Sequence, residues 1–263
     1  MQIRQIYADN SYRNFHYLIA CHETGEALVI DPLEAELCLK TAKEEGWRIT
    51  QVLNTHEHGD HIGGNAAVIA ATGAKLLAHA GAGDKIPGVD IGLKAGDIVK
   101  VGNSVRLKVL DTPGHTMSHV CLLSLGDEPA LFCGDTLFNA GAGNCKQGGH
   151  PAELYDTFHD QLATLPDNTR IFPGHDYIAH NLAFTLDREP DNQAAKKMLK
   201  AIEGQDPHHA RITTLGEERE INSFFRLKSP SIIAALRAKV PDLPEKPSEK
   251  DVFLALRELR NHW

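Results

Sequence analysis

The stretch "LNTHEHGDHIGG" at residues 53–64 places three histidines and an aspartate within six residues. The preceding "ITQVLNTH" is typical of a buried strand that ends at this stretch. Because alternate residues of an extended chain point to the same side, His56 and His58 can reach one ion, whereas Asp60 and His61 are offset toward another point. Neutral imidazoles and a carboxylate together suit zinc, iron or manganese. A solvated, histidine-rich turn is the simpler alternative, but the density of ligands at a strand end favours a metal site.

Three further polar residues follow predicted strands elsewhere in the chain. His115 ends "VLDTPGH", Asp135 ends "ALFCGD" and His175 ends "RIFPGH", each beside a glycine that lets the backbone approach closely. Together with the ligands at residues 56–61, the predicted set contains five histidines and two aspartates. A single metal ion of these types does not bind so many side chains. A workable arrangement has two ions, with Asp135 as a bridging carboxylate. The remaining ligands are His56, His58 and His115 for metal 1, and Asp60, His61 and His175 for metal 2.

Short apolar strands alternate with helical segments through the first 175 residues. The segments "QIRQIY", "FHYLIA" and "GEALVID" are typical of consecutive strands, and "EAELCLKTAKEEG" has the spacing of an amphipathic helix. Two alternating runs joined at Gly102-Asn103 predict a hairpin. After His175 we find helical spacing only, in "YIAHNLAFTL", "NQAAKKMLKAI", "PSIIAALRAK" and "EKDVFLALRELR". The pattern predicts an α+β protein, with a two-sheet core and outer helices over residues 1–175 and an all-helical domain over 176–263.

The composition is that of an ordinary globular protein, with 42% hydrophobic and 24% charged residues. A net charge of −8 argues against a general nucleic-acid binder, and no apolar run is long enough to cross a membrane. The first stretch of chain contains no apolar signal-peptide core, and the five cysteines are scattered without a CxxC pair. We therefore expect reduced thiols, a cytoplasmic location, and a monomer with no nucleic-acid or membrane partner.

The spacing of "THEHGDH", "PGHT", "GDT" and "PGHDY" resembles that of the metallo-β-lactamase superfamily, and within it the glyoxalase II, or hydroxyacylglutathione hydrolase, family. "GDTLFNAGAGN" and "LRELRNHW" extend the resemblance over nearly the whole chain. The resemblance implies an αββα sandwich followed by a helical substrate-binding domain. It also implies two divalent metal ions, zinc with iron or manganese as alternatives, that activate water to cleave S-acylglutathione, typified by S-lactoylglutathione, into a hydroxy acid and glutathione.

Two aspartates are expected to be catalytic in such a reaction. Asp135 would bridge the metals, and Asp60 would bind metal 2 and orient the attacking water. Asp31 and Thr55 are candidates for holding the ligand histidines in place, with structural roles at strand ends as the alternative.

The resemblance assigns substrate contacts to the later part of the chain. Arg257 and Arg260, three apart on the last helix, match cationic residues that hold the glycyl carboxylate of glutathione, and Tyr177 matches a tyrosine that contacts its backbone. The loop "GNCKQGG" departs from the family, because Asn144 stands where a lysine is usual and Lys146 where a tyrosine is usual. We expect Lys146 to replace the missing cation. An exposed helix face is the simpler alternative for the arginines, and a packing role for the tyrosine.

Other functions share parts of this pattern. A persulfide dioxygenase of the same superfamily uses one iron, so the number of metals per chain separates it from a hydrolase. The unusual loop also leaves open a hydrolase of a different thioester. A non-enzymatic binder of glutathione conjugates is a further alternative, but the predicted ligands exceed the four or so that complete a structural metal site.

Overall fold

The computed structural model describes every residue of the chain, which forms two compact units. Each unit is assembled from three segments of chain. The first contains Met1–Thr112, Ser118–Gly134 and Phe172–Asp176, and the second contains Pro113–Met117, Asp135–Ile171 and Tyr177–Trp263. None of the helices combines the length and the apolar character needed to cross a bilayer.

Strands dominate the chain as far as residue 173, and helices dominate the rest. The strands are β1 (Gln2–Tyr7), β2 (Phe15–Ala20), β3 (Glu26–Ile30), β4 (Arg48–Leu53), β5 (Lys75–His79), β6 (Ile91–Leu93), β7 (Ile98–Val101), β8 (Val105–Asp111), β9 (Val120–Ser124), β10 (Ala130–Gly134), β11 (Leu137–Phe138), β12 (Gly141–Ala142), β13 (Arg170–Pro173) and β14 (Thr213–Thr214). The helices are α1 (Ala35–Glu44), α2 (Gly59–Ile62), α3 (Asn65–Thr72), α4 (Pro151–Asp160), α5 (Ile178–Arg188), α6 (Gln193–Ala201), α7 (Leu215–Ile221), α8 (Pro230–Arg237) and α9 (Glu249–Arg260).

The first unit is built on a six-stranded sheet in the order β1-β2-β3-β4-β5-β6. The strands β1, β2 and β3 pair antiparallel, whereas β3 to β6 pair in parallel through crossover connections, two of which contain α1 and α3. All six residues of β2 are buried, as expected of a strand that is covered on both faces. The core between this sheet and its helices includes Leu18, Val29, Val52, Val68 and Leu76.

A second sheet in the same unit carries β7, β8, β9, β10 and the end of β13, in that order. The strand β8 alternates buried and exposed residues from Val105 to Val109, the pattern of a strand with one face in the core. Tyr17 of β2 packs edge-on against Phe132 and Phe172 of this second sheet, with ring centroids 5.5 and 5.6 Å apart. Its hydroxyl donates to the Pro173 carbonyl at 2.6 Å. The two sheets therefore share one core.

Helices form most of the second unit. The helices α5, α6 and α7 enclose an apolar core that includes Leu182, Ala195, Met198 and Ile221. Amphipathic spacing explains this arrangement, because each helix turns its apolar side to the others.

A buried carboxylate supports the tight loop between β11 and β12 in the second unit. Ala140 has a φ of +57°, in the left-handed region that L-residues rarely adopt. Its amide donates to Glu218 at 2.8 Å, and the same carboxylate accepts from Thr213 Oγ1 and Asn222 Nδ2 at 2.7 and 3.0 Å. Complete burial raises the pKa of Glu218 from 4.5 to about 7.

The fold class predicted from the sequence is confirmed, since the structure has two six-stranded β-sheets, helices packed on sheet strands and a helical C-terminal segment. The expectation of no strand after His175 is wrong, because β14 pairs with Arg170–Ile171; two residues are too few to show an alternating pattern. The helix α7 was also not predicted, although its signal is present in the capping box of Thr214 and Glu217. The domain boundary between residues 175 and 176 stays a prediction.

Candidate metal centre and substrate cleft

Five of the seven predicted metal ligands lie together in the first unit. The end of β4 leads into His56 and His58, α2 carries Asp60 and His61, and the end of β13 leads into His175. His56 Nε2 lies 3.0 Å from His58 Nδ1, and His61 Nε2 lies 3.2 Å from His175 Nε2. The Oδ2 atom of Asp60 is 3.6 and 3.5 Å from the Nε2 atoms of His61 and His175. Ligand atoms of Asp60, His61 and His175 all fall within 4.8 Å of one another.

The hydrogen bonds of two histidines fix which ring nitrogen is available to a cation. His61 Nδ1 donates to Asp31 Oδ2 at 2.9 Å, and His175 Nδ1 donates to the Tyr12 carbonyl at 2.7 Å. In the neutral imidazoles both Nε2 atoms therefore carry lone pairs, and these face each other at 3.2 Å. Two nitrogens that each lie about 2.1 Å from one zinc ion at a tetrahedral angle would be roughly 3.4 Å apart. The donor set thus fits a divalent metal ion.

A buried aspartate holds two parts of this cluster. Asp31 is 2% exposed and has a φ of +52°. Its Oδ1 accepts from the Thr55 amide at 2.8 Å, and its Oδ2 accepts from Thr55 Oγ1 at 2.7 Å as well as from His61. Thr55 Oγ1 also lies 3.0 Å from His56 Nδ1. One carboxylate therefore orients histidines of both predicted metal sites.

The turn before β2 contributes contacts that the sequence did not reveal. Asn14 is buried and its Nδ2 donates to Asp60 Oδ2 at 3.1 Å. The same turn supplies the Tyr12 carbonyl to His175, and the backbones of Asn14 and His175 form a β-bridge. An asparagine just ahead of a strand is the only local signal, and it is common to many turns.

Contacts of His119 and Glu57 further restrict the histidine-rich stretch. The ring of His119 stacks on that of His56 with centroids 5.1 Å apart and an interplanar angle of 22°. Glu57 accepts from Ser118 Oγ at 2.9 Å and from Lys85 Nζ at 2.8 Å. These contacts fix the stretch on both sides, and they too were not predicted.

The other two predicted metal ligands, His115 and Asp135, lie in the second unit. They are 2% and 6% exposed, and His115 Nε2 lies 3.5 Å from Asp135 Oδ2. His115 Nδ1 donates to the Asn144 carbonyl at 2.6 Å, so that the neutral ring presents the Nε2 lone pair on the side of the carboxylate.

The four residues predicted to bind substrate line one cleft of about 310 Å³ in the second unit. The cleft is lined by Phe138, Ala142, Asn144, Lys146, Gln147, Tyr177, Arg257, Arg260, Asn261 and Trp263. The Tyr177 ring packs edge-on against Phe138 at 5.2 Å, and Lys146 Nζ donates to the Asn261 carbonyl at 3.0 Å. The cleft thus combines three cationic side chains with aromatic walls.

The two arginines of the cleft differ in environment. Arg257 is only 4% exposed and its Nη1 donates to the carbonyls of Ala142 and Gly143 at 2.7 and 2.9 Å. Burial lowers the pKa of Arg257 to about 10. Arg260 is less buried and donates from Nη2 to Asn181 Oδ1 at 3.2 Å, and burial lowers its pKa as well. Both remain cationic at neutral pH.

The thiol of Cys145, in the loop "GNCKQGG", shows no sign of activation. Cys145 is half-buried, and burial raises the pKa of its thiol to about 11 despite the nearby cation of Arg257. A thiol with so high a pKa is protonated at neutral pH and is a weak nucleophile.

Comparison with known proteins agrees with this geometry. Residues 15–175 match the family model described as "Metallo-beta-lactamase superfamily", and residues 176–263 match "Hydroxyacylglutathione hydrolase C-terminus". The chain belongs to the metallo-β-lactamase superfamily. A relative from Nitrosococcus oceani named hydroxyacylglutathione hydrolase is 65% identical over 263 residues, which is the whole of both chains. Within the superfamily the chain is a member of the hydroxyacylglutathione hydrolase family.

Solved structures support the same assignment of fold. ETHE1 from Myxococcus xanthus superposes with a TM-score of 0.69 at 28% identity, over 99% of this chain and 98% of that one. TTHA1623, solved in a di-iron-bound form, gives a TM-score of 0.59 at 25% identity, over 84% of this chain and 98% of that one. The superfamily fold and the clusters of histidine and aspartate indicate a binuclear metal site.

Proposed function

We propose that the protein hydrolyses S-acylglutathione thioesters, typified by S-lactoylglutathione, to a hydroxy acid and glutathione. The observation that carries the proposal is the 65% identity, over the full length, to a relative named hydroxyacylglutathione hydrolase. A buried set of histidine and aspartate ligands and a separate cationic cleft are the two features that this reaction requires.

The metal centre would hold two divalent ions, and we propose zinc because most of its ligands are imidazoles. Metal 1 would take His56, His58 and His115, metal 2 would take Asp60, His61 and His175, and Asp135 would bridge them. When bound, the metal pair supplies Lewis acidity that makes water nucleophilic at neutral pH and stabilises negative charge on the thioester oxygen. No strong general acid is required, because a thiolate is a stable leaving group.

The protein's own side chains would hold and orient the reactants. Asp60, fixed by Asn14, would accept a hydrogen bond from the attacking water and so orient it toward the carbonyl carbon. Asp31 keeps the proton of His61 on Nδ1, away from the metal side of the ring. Each contact restricts a ring or carboxylate before substrate arrives, which lowers the reorganisation that the reaction needs.

The cleft would hold the thiol half of the substrate. Glutathione carries two carboxylates, and guanidinium groups are well suited to bind them. Arg257, Arg260 and Lys146 would supply positive charge, and Tyr177 would contact the peptide backbone. We further propose that residues 1–175 carry the chemistry and that residues 176–263, together with Lys146, hold the substrate.

The direct test follows the release of free thiol from S-lactoylglutathione by purified protein of known metal content. We expect turnover with about two metal ions per chain, and a lower rate with the matched S-lactoyl thioester of coenzyme A. The variant Lys146→Met should raise KM and leave kcat nearly unchanged. A sample with two metals per chain and no thiol release would overturn the proposal, and one iron per chain would favour persulfide chemistry.

We also propose a cytoplasmic location, because the five cysteines are reduced thiols and not disulfides, as expected in a reducing compartment. The monomeric state stays a prediction, which size-exclusion chromatography with light scattering can check.

A further inference from the structure

Arg257 and Arg260 occupy neighbouring turns of α9, yet their surroundings suit different tasks. Arg257 is 4% exposed and two of its nitrogens are engaged by the protein itself. Arg260 is only half-buried and makes a single bond to a side-chain amide. A guanidinium group that already satisfies backbone carbonyls has fewer donors left for a substrate.

Arg257 holds one short piece of backbone through a single guanidinium nitrogen. Its Nη1 donates to the consecutive carbonyls of Ala142 and Gly143, and its Nη2 donates to Asn261 Oδ1 at 3.3 Å. Hydrogen bonds from a charged donor are stronger than those between neutral groups, so this contact fixes the backbone firmly.

The backbone held in this way lies against both predicted metal ligands of the second unit. A Cβ atom added at Gly143 would fall 1.8 Å from the Asp135 carbonyl oxygen and 3.1 Å from His115 Nδ1. The loop therefore has no room to move toward these residues. Only glycine allows the approach at this position.

The next residue of the loop orients the metal-binding ring directly. The Asn144 carbonyl accepts the His115 Nδ1 proton at 2.6 Å. This bond fixes both the tautomer and the plane of the ring, and leaves Nε2 on the side of Asp135. If the loop shifted, the carbonyl would lose its alignment and the ring could rotate.

We propose that Arg257 is a positioning residue for the metal centre: it holds the loop Ala142–Asn144 so that the Asn144 carbonyl fixes the His115 ring for metal 1. The inference rests on the proposed function for the metal site. It distinguishes the two arginines: Arg257 lends positive charge to the cleft while its Nη1 donors hold the loop, and Arg260 has more donors left to bind the substrate directly. Loss of an outer hydrogen-bond partner of a ligand histidine typically costs about 10–100-fold in metal affinity.

The test compares Arg257→Lys with the matched control Arg260→Lys. Each protein is loaded with cobalt(II), its absorption spectrum is recorded, and metal retention is measured by dialysis against graded chelator. We expect Arg257→Lys to lose one of two ions about 10–100-fold more readily, with a changed cobalt spectrum and a lower kcat. Arg260→Lys should retain both ions and the wild-type spectrum, and show a raised KM.

Several outcomes would overturn the inference without touching the proposed function. One is an Arg257→Lys protein with wild-type metal retention and spectrum and only a raised KM. If Arg257→Lys is poorly folded by circular dichroism, Arg257→Gln provides a second test, since it removes the charged donor to the Ala142 and Gly143 carbonyls and leaves a neutral side chain at that position; unchanged metal retention there would also contradict the inference. Failure of wild-type protein to cleave S-lactoylglutathione would instead reject the proposed function, while the comparison of metal retention between the two variants would still stand.

Discussion

The replacement Asp31→Asn tests how strongly the metal centre depends on its supporting hydrogen bonds. Asp31 has a φ of +52°, and asparagine tolerates this left-handed conformation well. The two side chains have nearly the same shape. The substitution therefore changes the pattern of donors and acceptors and leaves the backbone unstrained.

The magnitude follows from the three bonds that Asp31 accepts. An asparagine whose oxygen stands at the Oδ1 position keeps the Thr55 amide bond, but its NH2 group then faces His61 Nδ1–H. To avoid two donors in contact, His61 must move its proton to Nε2, the nitrogen predicted to bind metal 2. The lost charge-assisted bond is worth about 1.5–3 kcal/mol, which matches the roughly 10–100-fold loss of metal affinity typical of such changes.

The assay is competition for zinc with a chromophoric chelator, read at pH 7 for wild type and variant. Asp90→Asn is the matched control, because Asp90 also accepts from a backbone amide, that of Leu76, in the same unit. We expect Asp31→Asn to bind one of its two zinc ions about 10–100-fold more weakly than wild type, and the zinc affinity of the control to remain within twofold of wild type. If both variants bind zinc like wild type, the reasoning from the tautomer of His61 is wrong.

Two further predictions concern stability and are measured by urea denaturation. Gly134→Ala should destabilise the protein by about 2–5 kcal/mol, because Gly134 has a φ of +46° and the new Cβ would lie 2.5 Å from Thr55 Oγ1. The control Gly73→Ala, where φ is +70° but the space around the new Cβ is open, should cost only about 1–2 kcal/mol. Equal losses of stability in the two variants would contradict the packing argument. Glu218→Gln should remove a pH dependence. The raised pKa of Glu218 means that the folded state binds an extra proton between pH 4.5 and about 7, so the free energy of unfolding falls as pH rises through this window, by at most ~1.4 kcal/mol per pH unit. The free energy of unfolding of the wild type should therefore fall relative to that of the variant from pH 5 to 7. If the two free energies change in parallel with pH, Glu218 is not protonated in the folded state.

The regular parts of the fold were accessible from the sequence because their signals are local. The helix α9 has the predicted bounds, Glu249–Arg260, since an apolar stripe and the Ser248–Asp251 capping box both lie within one segment. The strand β4 ends just before the histidine-rich stretch, as its apolar run predicted. The strand β6, with two of its three residues exposed, has no such pattern and was not predicted.

The supporting contacts of the candidate site were not accessible, because they join residues far apart in the sequence. Asn14 reaches Asp60 across 46 positions, and no spacing rule connects them. The helical spacing placed Arg257 and Arg260 on one side of α9, but spacing does not say how deeply each residue is buried. The difference in burial between Arg257 and Arg260, on which their different proposed roles depend, is visible only in the structure, where Arg257 donates to the Ala142 carbonyl.

The interleaving of the two compact units has a consequence for dissecting the gene. The chain passes from one unit to the other at residues 112, 117, 134, 171 and 176, so that no single cut separates them. Truncation after His175 would remove Phe253, which packs against Phe158 of α4 at 5.3 Å, and Lys250, which pairs with Asp156 of the same helix at 2.8 Å. The remaining fragment would expose an aromatic surface to water and should aggregate on expression. Minimal versions of this enzyme are better sought by trimming loops than by deleting its helical end.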